Sequence, residues 1–320
     1  MRAVILDDYS NVALTMADWK SLGPDVTVES IRDHIPDQSE LVRRLKGAAI
    51  VVAMRERTPF PRAVLEQLGD LRLLVSTGAR NASIDTEAAA ERGILVCGTE
   101  MLPYPTAELA WGLILGIVRG IAKEDAAMRA GKWQVGLGRG LKGKTLGLLG
   151  FGRLGSQVGA VGKAFGMEVI AWSQNLSAEK AAAGGAARVE KDELFRRADV
   201  ISIHLVLSDR TRGLVGAREL GLMKPTAYLV NTSRGPIVDE AALLKALAER
   251  RIAGAAIDVY GKEPLPTEHP FRSLDNVLIT PHVGYVTEEG YRLAYGGAVE
   301  DIKAWLAGSP LRAMNQPKAR

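Results

Sequence analysis

The stretch Thr145-Leu146-Gly147-Leu148-Leu149-Gly150-Phe151-Gly152-Arg153-Leu154-Gly155 restricts the fold of this chain more than any other. Leu146 to Leu149 is a short apolar run that reads as a buried strand. Glycines at 150, 152 and 155 break the run, and Val158, Val161 and Phe165 then follow a helical pattern. Strand, tight turn and helix with G-x-G-x-x-G at the turn describe a dinucleotide-binding βαβ unit. Gly150 permits the turn, Gly152 lets backbone approach a pyrophosphate, and Gly155 lets the helix pack close to the strand. Arg153 and Leu154 lie inside the same turn, where the helix N-terminus offers unpaired N–H groups to phosphate. A second strand pattern, Met167 to Trp172, sits at the distance such a unit needs. Without those flanks the motif would be only a glycine-rich turn of an α/β protein.

At 320 residues the chain has room for two domains, and 47% hydrophobic with 24% charged residues is a globular composition. The 41 basic and 37 acidic residues are interspersed, so no stripe for nucleic acid is expected. The single cysteine, Cys97, excludes an internal disulfide framework and fits a reducing compartment. It lies in the apolar strand pattern Gly93-Ile-Leu-Val-Cys97 and reads as a buried, inert thiol. The opening Met1-Arg-Ala-Val-Ile-Leu-Asp-Asp does not read as a signal peptide, and Leu109 to Val118 is too short to span a bilayer. No membrane partner and no metal site are expected, and the cytoplasm is the expected compartment.

Up to residue 98, short apolar runs alternate with amphipathic stretches. Strands are expected at Ala3–Leu6, Val26–Glu29, Ala49–Ala53, Arg72–Ser76 and Ile94–Val96, with helices at Asn11–Leu22, Ser39–Leu45, Pro61–Leu68 and Thr86–Arg92. The alternation predicts a parallel sheet with helices on both faces. After a break at Gly98–Pro105 comes a long helical pattern, Thr106 to about Arg129, interrupted by Gly116 and Gly120. Beyond the glycine motif a second α/β series has strands at Val200–His204, Ala227–Asn231, Gly254–Val259 and Val277–Thr280. Its helices are expected at Lys191–Arg197, Ala217–Leu222 and Glu240–Arg250. The last segment, Thr287 to Leu306, reads as a packing helix that returns to the first domain.

In parallel α/β sheets, ligands bind beyond the carboxyl ends of strands. Of four histidines, His34 and His269 fall in polar connections and read as solvated, whereas His204 and His282 fall at strand ends. His282, fixed by Pro281, stands at the rim of the crevice and suits proton transfer; position alone serves equally well for a histidine capping a turn. Arg234, after the strand Tyr228–Asn231, has the fork geometry that a carboxylate or carbonyl accepts. Glu263, five residues beyond Asp258, could fix the tautomer of an imidazole. Each residue alone has a bland surface reading. Together, Arg, Glu and His at three successive strand ends of a dinucleotide-binding sheet suit hydride transfer.

Asn231-Thr-Ser-Arg-Gly-Pro-Ile-Val-Asp239, the Asp258…Glu263-Pro264 pair and Thr280-Pro-His-Val-Gly284, with the glycine motif, resemble the D-isomer-specific 2-hydroxyacid dehydrogenases over essentially the whole chain. The resemblance implies an α/β protein of two doubly wound parallel-sheet domains. A Rossmann cofactor domain, 99–287, is inserted into a smaller flavodoxin-like substrate domain, 1–98 plus 288–320. It further implies a homodimer that reduces a 2-keto acid to a D-2-hydroxy acid. His282 is then the proton donor paired with Glu263, and Arg234 holds the substrate. Val75-Ser-Thr-Gly-Ala-Arg80 matches the loop whose backbone N–H groups hold the substrate carboxylate, placing Gly78, Ala79 and Arg80 there. Thr106 and Asp258 match positions near the nicotinamide, Thr232 and His204 line the cofactor site, and Gly284 joins the cofactor-binding set.

Two positions depart from the family pattern. An Asp that binds the ribose 2′-hydroxyl is usual about 20 residues past the glycines, but Ser173 stands there, followed by Gln174 and Asn175. No carboxylate repels a 2′-phosphate, yet no arginine adjoins to bind one, so the cofactor is NAD or NADP and NADPH is expected to serve at least comparably. Val206 replaces a usual proline. The substrate side chain is expected against Met54-Arg55-Glu56-Arg57 and Arg80, with Tyr285 and Trp133 as further candidates. Arg55, Arg57 and Arg80 point to an additional acidic or polar substrate group unless some of them face solvent or pair with Glu56. Glu263 argues against a formate dehydrogenase, which would carry Gln. A phosphoglycerate dehydrogenase remains possible, although no regulatory domain follows residue 310. The reading from another class is a non-catalytic, dinucleotide-sensing corepressor-like protein.

Overall fold

Runs such as Ala48–Ala53 and Val200–Ile203 are apolar at nearly every position. Strands of that kind belong in parallel sheets covered on both faces. The computed structural model describes residues 1–318 and has two compact units, Met1–Leu102 with the chain from Val286 onward, and Pro103–Tyr285.

In the first unit β1 (Arg2–Ile5), β2 (Thr27–Ser30), β3 (Ala48–Ala53), β4 (Leu73–Ser76) and β5 (Leu95–Gly98) pair in parallel in the order β2-β1-β3-β4-β5. That is the flavodoxin-like order. The helices α1 (Gln38–Leu45), α2 (Arg62–Leu65) and α3 (Thr86–Glu91) lie between the strands. The Asp37 and Asp85 side chains accept the Glu40 and Ala88 N–H groups, capping α1 and α3. The helix Glu288–Leu306, capped by Thr287, belongs to this unit.

Two expectations fail here. The region expected as a helix at Asn11–Leu22 contains only two short 3₁₀ turns, Ala13–Thr15 and Trp19–Leu22. The Asp8 carboxylate takes the Val12 and Ala13 N–H groups, and the Trp19 indole donates to the Ala13 carbonyl at 2.8 Å. Side chains thus hold backbone groups that a helix would need. The helix expected at Pro61–Leu68 is confined to α2, Arg62–Leu65.

The segment after residue 311 lies along β5. Met314 N–H donates to the Val96 carbonyl, and Arg312 Nε donates to Asp301 Oδ1 at 2.9 Å. Asp301 is fully buried, and burial raises its carboxyl to about 6 even though Arg312 opposes the shift. The folded state therefore binds the proton more tightly than the unfolded chain. Its stabilising effect is complete below the ordinary value of 3.8 and is lost as pH rises through about 6. The neutral, isosteric Asp301→Asn is expected to raise the melting temperature at pH 8, by a free energy on the order of 1–3 kcal/mol, and to give no gain near pH 4. A variant that melts below wild type at pH 8 would contradict this. Burial also pushes the Cys97 thiol up to about 12, in keeping with an inert cysteine.

The second unit opens with α4 (Pro105–Arg119) and α5 (Ile121–Arg129), bent by 63° at Gly120, which is left-handed with φ 65°. Among the described residues no single helix is long and apolar enough to cross a bilayer. Seven parallel strands follow: β6 (Thr145–Leu149), β7 (Glu168–Trp172), β8 (Ala187–Arg188), β9 (Val200–Ile203), β10 (Tyr228–Asn231), β11 (Gly254–Ile257) and β12 (Val277–Ile279). Their order is β12-β11-β10-β9-β6-β7-β8, the Rossmann arrangement with one further strand. The order reverses between β6 and β9, where the glycine motif lies. The helix α6 (Arg153–Ala164) follows that motif. The two-residue β8 carries no apolar run, which is why the sequence pattern does not announce it.

Candidate active site

A glycine loop at the end of a central strand must pass close to the neighbouring strand end, and each glycine here has its own reason. A Cβ on Gly150, whose φ is 104°, would lie 2.4 Å from the His204 carbonyl oxygen; one on Gly155 would lie 2.2 Å from that of Gly150. Neither position admits a side chain. A Cβ on Gly152 would meet nothing within 4 Å. That open space adjoins the N-terminus of α6, which has no side-chain cap, and it suits a pyrophosphate. Two buried polar atoms without a partner among the described residues lie at the ends of β9 and β10, His204 Nδ1 and Thr232 Oγ1. His204 Nε2 is 2.8 Å from Ser202 Oγ, and burial lowers its pKa to about 4, so the imidazole is neutral. The residues present therefore fit a dinucleotide.

Beyond β7, Ser173 is half-buried and Gln174 exposed, in a turn closed by Leu176 N–H on the Ser173 carbonyl at 3.1 Å. No arginine adjoins this turn in sequence, but the sheet brings one. Arg188, paired with Ala171 across β7 and β8, donates Nε to the Leu176 carbonyl at 3.0 Å and pairs with Glu190 at 2.9 Å.

Arg234, Glu263 and His282 converge at the carboxyl ends of β10, β11 and β12. Asn231 folds the first loop, accepting from Ser233 N–H at 3.0 Å and donating to the Arg234 carbonyl at 3.1 Å. A Cβ on Gly235 would fall 2.1 Å from the Tyr260 carbonyl carbon, so this loop rests directly on the next. Glu263 Oε1 accepts Tyr260 N–H at 2.8 Å, and Oε2 lies 2.6 Å from His282 Nδ1. Burial by itself would raise the Glu263 pKa. The His282 hydrogen bond and charge, the Tyr260 amide and the Arg234 charge outweigh it, and the net shift is downward. An ionised Glu263 requires a proton on Nδ1, which directs Nε2 to act as the exchanging nitrogen.

His282 has φ 53°, a left-handed conformation uncommon for a residue with a side chain. Strain of about 1–3 kcal/mol persists only where neighbours enforce it, and Asp258 is the enforcer. Fully buried, its Oδ1 accepts Val283 N–H at 2.8 Å and Thr280 Oγ1 at 2.6 Å, and its Oδ2 accepts Gly284 N–H at 2.9 Å. Thr106 donates to the Gly284 carbonyl at 3.0 Å. Thr106, Asp258 and Gly284 thus form one bracket behind His282. Sequence reasoning missed Asn231 and Tyr260, whose hydroxyl donates to the Thr280 carbonyl at 2.8 Å. His34 and His269 are not solvated as expected: His34 lies 3.3 Å from Asp7 and His269 3.1 Å from Glu240.

In the first unit the loops after β3 and β4 are tied together. Arg55 N–H donates to Thr77 Oγ1 at 3.0 Å, and Asn81 Nδ2 donates to the Arg55 carbonyl at 2.6 Å. A Cβ on Gly78 would lie 3.4 Å from Arg55 Nη1, so that guanidinium packs on the glycine. Gly78 N–H is already donated to Thr99 Oγ1 at 3.1 Å. Among the described residues the Ala79 and Arg80 N–H groups donate to nothing. The free donors of this loop are therefore those two, and Gly78 shapes it.

A family model for the NAD binding domain of D-isomer specific 2-hydroxyacid dehydrogenases matches residues 111–284. The chain belongs to that family. It is an oxidoreductase with a nicotinamide dinucleotide cofactor. A glyoxylate reductase of Aeropyrum pernix is 42% identical over 294 residues, 89% of this chain and 87% of that protein. A D-3-phosphoglycerate dehydrogenase of Methanocaldococcus jannaschii is 38% identical over 85% of this chain but 52% of its own length. Among solved structures, a phosphoglycerate oxidoreductase from Vibrio cholerae matches with a TM-score of 0.92 at 37% identity, covering 96% of this chain and 99% of the other.

Proposed function

We propose that this family member reduces a short 2-keto acid to the D-2-hydroxy acid, with Arg234, Glu263 and His282 as the catalytic trio. The observation that carries the assignment is the 2.6 Å contact between His282 Nδ1 and Glu263, which leaves Nε2 to exchange a proton. When bound, the nicotinamide supplies the hydride for the keto carbon. Arg234 polarises the keto oxygen and holds the substrate carboxylate side by charge-assisted hydrogen bonds. His282, protonated on both nitrogens, gives its Nε2 proton to the forming alkoxide while Glu263 stabilises the imidazolium. In the first unit, the Ala79 and Arg80 N–H groups with Arg55 take a carboxylate. The test is an initial-rate screen of glyoxylate, hydroxypyruvate, pyruvate and phenylpyruvate with both cofactors. A dinucleotide-sensing protein would need no proton donor, and the trio favours the enzyme.

Ser173, Gln174 and the nearby Arg188 support use of NADPH, since the turn holds no carboxylate to repel a 2′-phosphate. NADPH is expected to give a kcat/KM at least comparable to that with NADH, and Ser173→Asp to favour NADH. A wild-type ratio strongly favouring NADH would remove this reading. We also propose a homodimer. The helix α5 buries no residue and exposes Ile121 and Met128, and the segment after it exposes Trp133 and Leu137, the latter 99% accessible. Such apolar exposure fits a contact with a second copy, to be checked by light scattering on wild type and Leu137→Asp.

A further inference from the structure

The three arginines of the first unit's loops differ in what already occupies them. Arg57 donates Nη1 to the Asp7 carbonyl at 3.0 Å, lies 4.6 Å over the Tyr9 ring and hydrogen-bonds Tyr291. It is a structural clamp. Arg55 lies 3.6 Å from Glu56 and packs on Gly78, the residue that precedes the two unpaired amides in the chain. Arg80 is exposed, and among the described residues it makes no hydrogen bond or ion pair.

We propose that Arg80 is a specificity residue and that the preferred substrate is a 2-oxo acid with a second anionic group at its far end. This rests on the reading of the protein as a 2-oxo acid reductase. One carboxylate is already matched by Arg55 and the Ala79 and Arg80 amides, so a monoanionic substrate leaves the Arg80 guanidinium uncompensated. Its side chain departs from the same residue that supplies one of those amides. An extended arginine reaches about 6–7 Å from its Cα by standard bond lengths, the span of a four- or five-carbon 2-oxo diacid. A carboxylate or phosphate at that end forms a charge-assisted pair with the guanidinium. The pair is solvent-accessible, so its contribution is limited and falls with added salt.

The test compares kcat/KM for acids of equal chain length with and without the far charge: oxaloacetate against 2-oxobutanoate, and 2-oxoglutarate against 2-oxopentanoate. Wild type is expected to favour the diacid about tenfold, mainly through KM, and the ratio is expected to shrink as ionic strength rises. Arg80→Ala should bring the ratio close to one, and Arg80→Lys should retain part of it. A wild-type ratio near one, or a ratio unchanged in Arg80→Ala, overturns the proposal. Turnover of glyoxylate by wild type separates these outcomes from failure of the underlying assignment, in which no 2-oxo acid oxidises either cofactor.

Discussion

Replacing His282 by alanine is expected to lower kcat for 2-keto acid reduction about 10²–10⁴-fold, the range that a positioned general acid contributes. Cofactor affinity should be retained, because the glycine loop and the His204 and Thr232 positions lie at other strand ends of the same sheet. Glu263→Gln is expected to act in the same direction with a smaller loss. Its amide can still meet Nδ1 but no longer compensates an imidazolium, so the alkaline limb of the pH–rate profile for reduction, where the donor proton is lost, should move to lower pH. Rapid kinetics with fluorescence titration of NADPH would separate binding from turnover. His282→Ala with unchanged kcat would refute the proton-donor role.

Gly235→Ala is expected to be nearly as damaging despite adding one methyl group at a residue with no chemistry. Its Cβ would lie 2.1 Å from the Tyr260 carbonyl carbon and 2.2 Å from the Tyr260 oxygen. Backbone cannot swing aside as a flexible side chain does, so the Arg234 loop must separate from the loop that carries Glu263. Overpacking of this kind typically costs about 1–3 kcal/mol, and a 1 Å misplacement of reacting groups costs about 10²-fold in rate. The variant should therefore show a lower melting temperature together with a kcat loss of about 10²-fold or more. A folded Gly235→Ala enzyme with wild-type kcat would show that Arg234 and Glu263 do not need their observed spacing.

How much of this was legible in the chain depended on the range of each interaction. The strands were legible because a parallel sheet buries both faces, so runs such as Ala48–Ala53 and Val200–Ile203 are apolar at nearly every position. The order of glycines was legible because a backbone turn is local. His282, Glu263 and Arg234 were legible as strand-end residues, while their convergence depends on the contact of Gly235 with Tyr260 and on the Asp258 bracket. Those join residues more than 20 positions apart. Arg188 was invisible beside Ser173 because β8 is two residues long and only strand pairing places it there. The helix expected at Asn11–Leu22 had suitable periodicity. It was overruled by the Asp8 carboxylate and the Trp19 indole, whose hydrogen bonds leave no trace in a hydrophobic pattern.

An enzyme that turns over 2-keto acids consumes its dinucleotide, whereas a protein that merely senses the dinucleotide does not. The most direct measurement follows NADPH and NADH oxidation with glyoxylate and with a chiral-product acid such as pyruvate, and resolves the product enantiomers. Cofactor oxidation is expected to be stoichiometric with 2-hydroxy acid, of D configuration where the product is chiral, and to be lost in His282→Ala. Cofactor that binds with saturation yet is oxidised by no 2-keto acid, or a product of L configuration, would contradict this expectation.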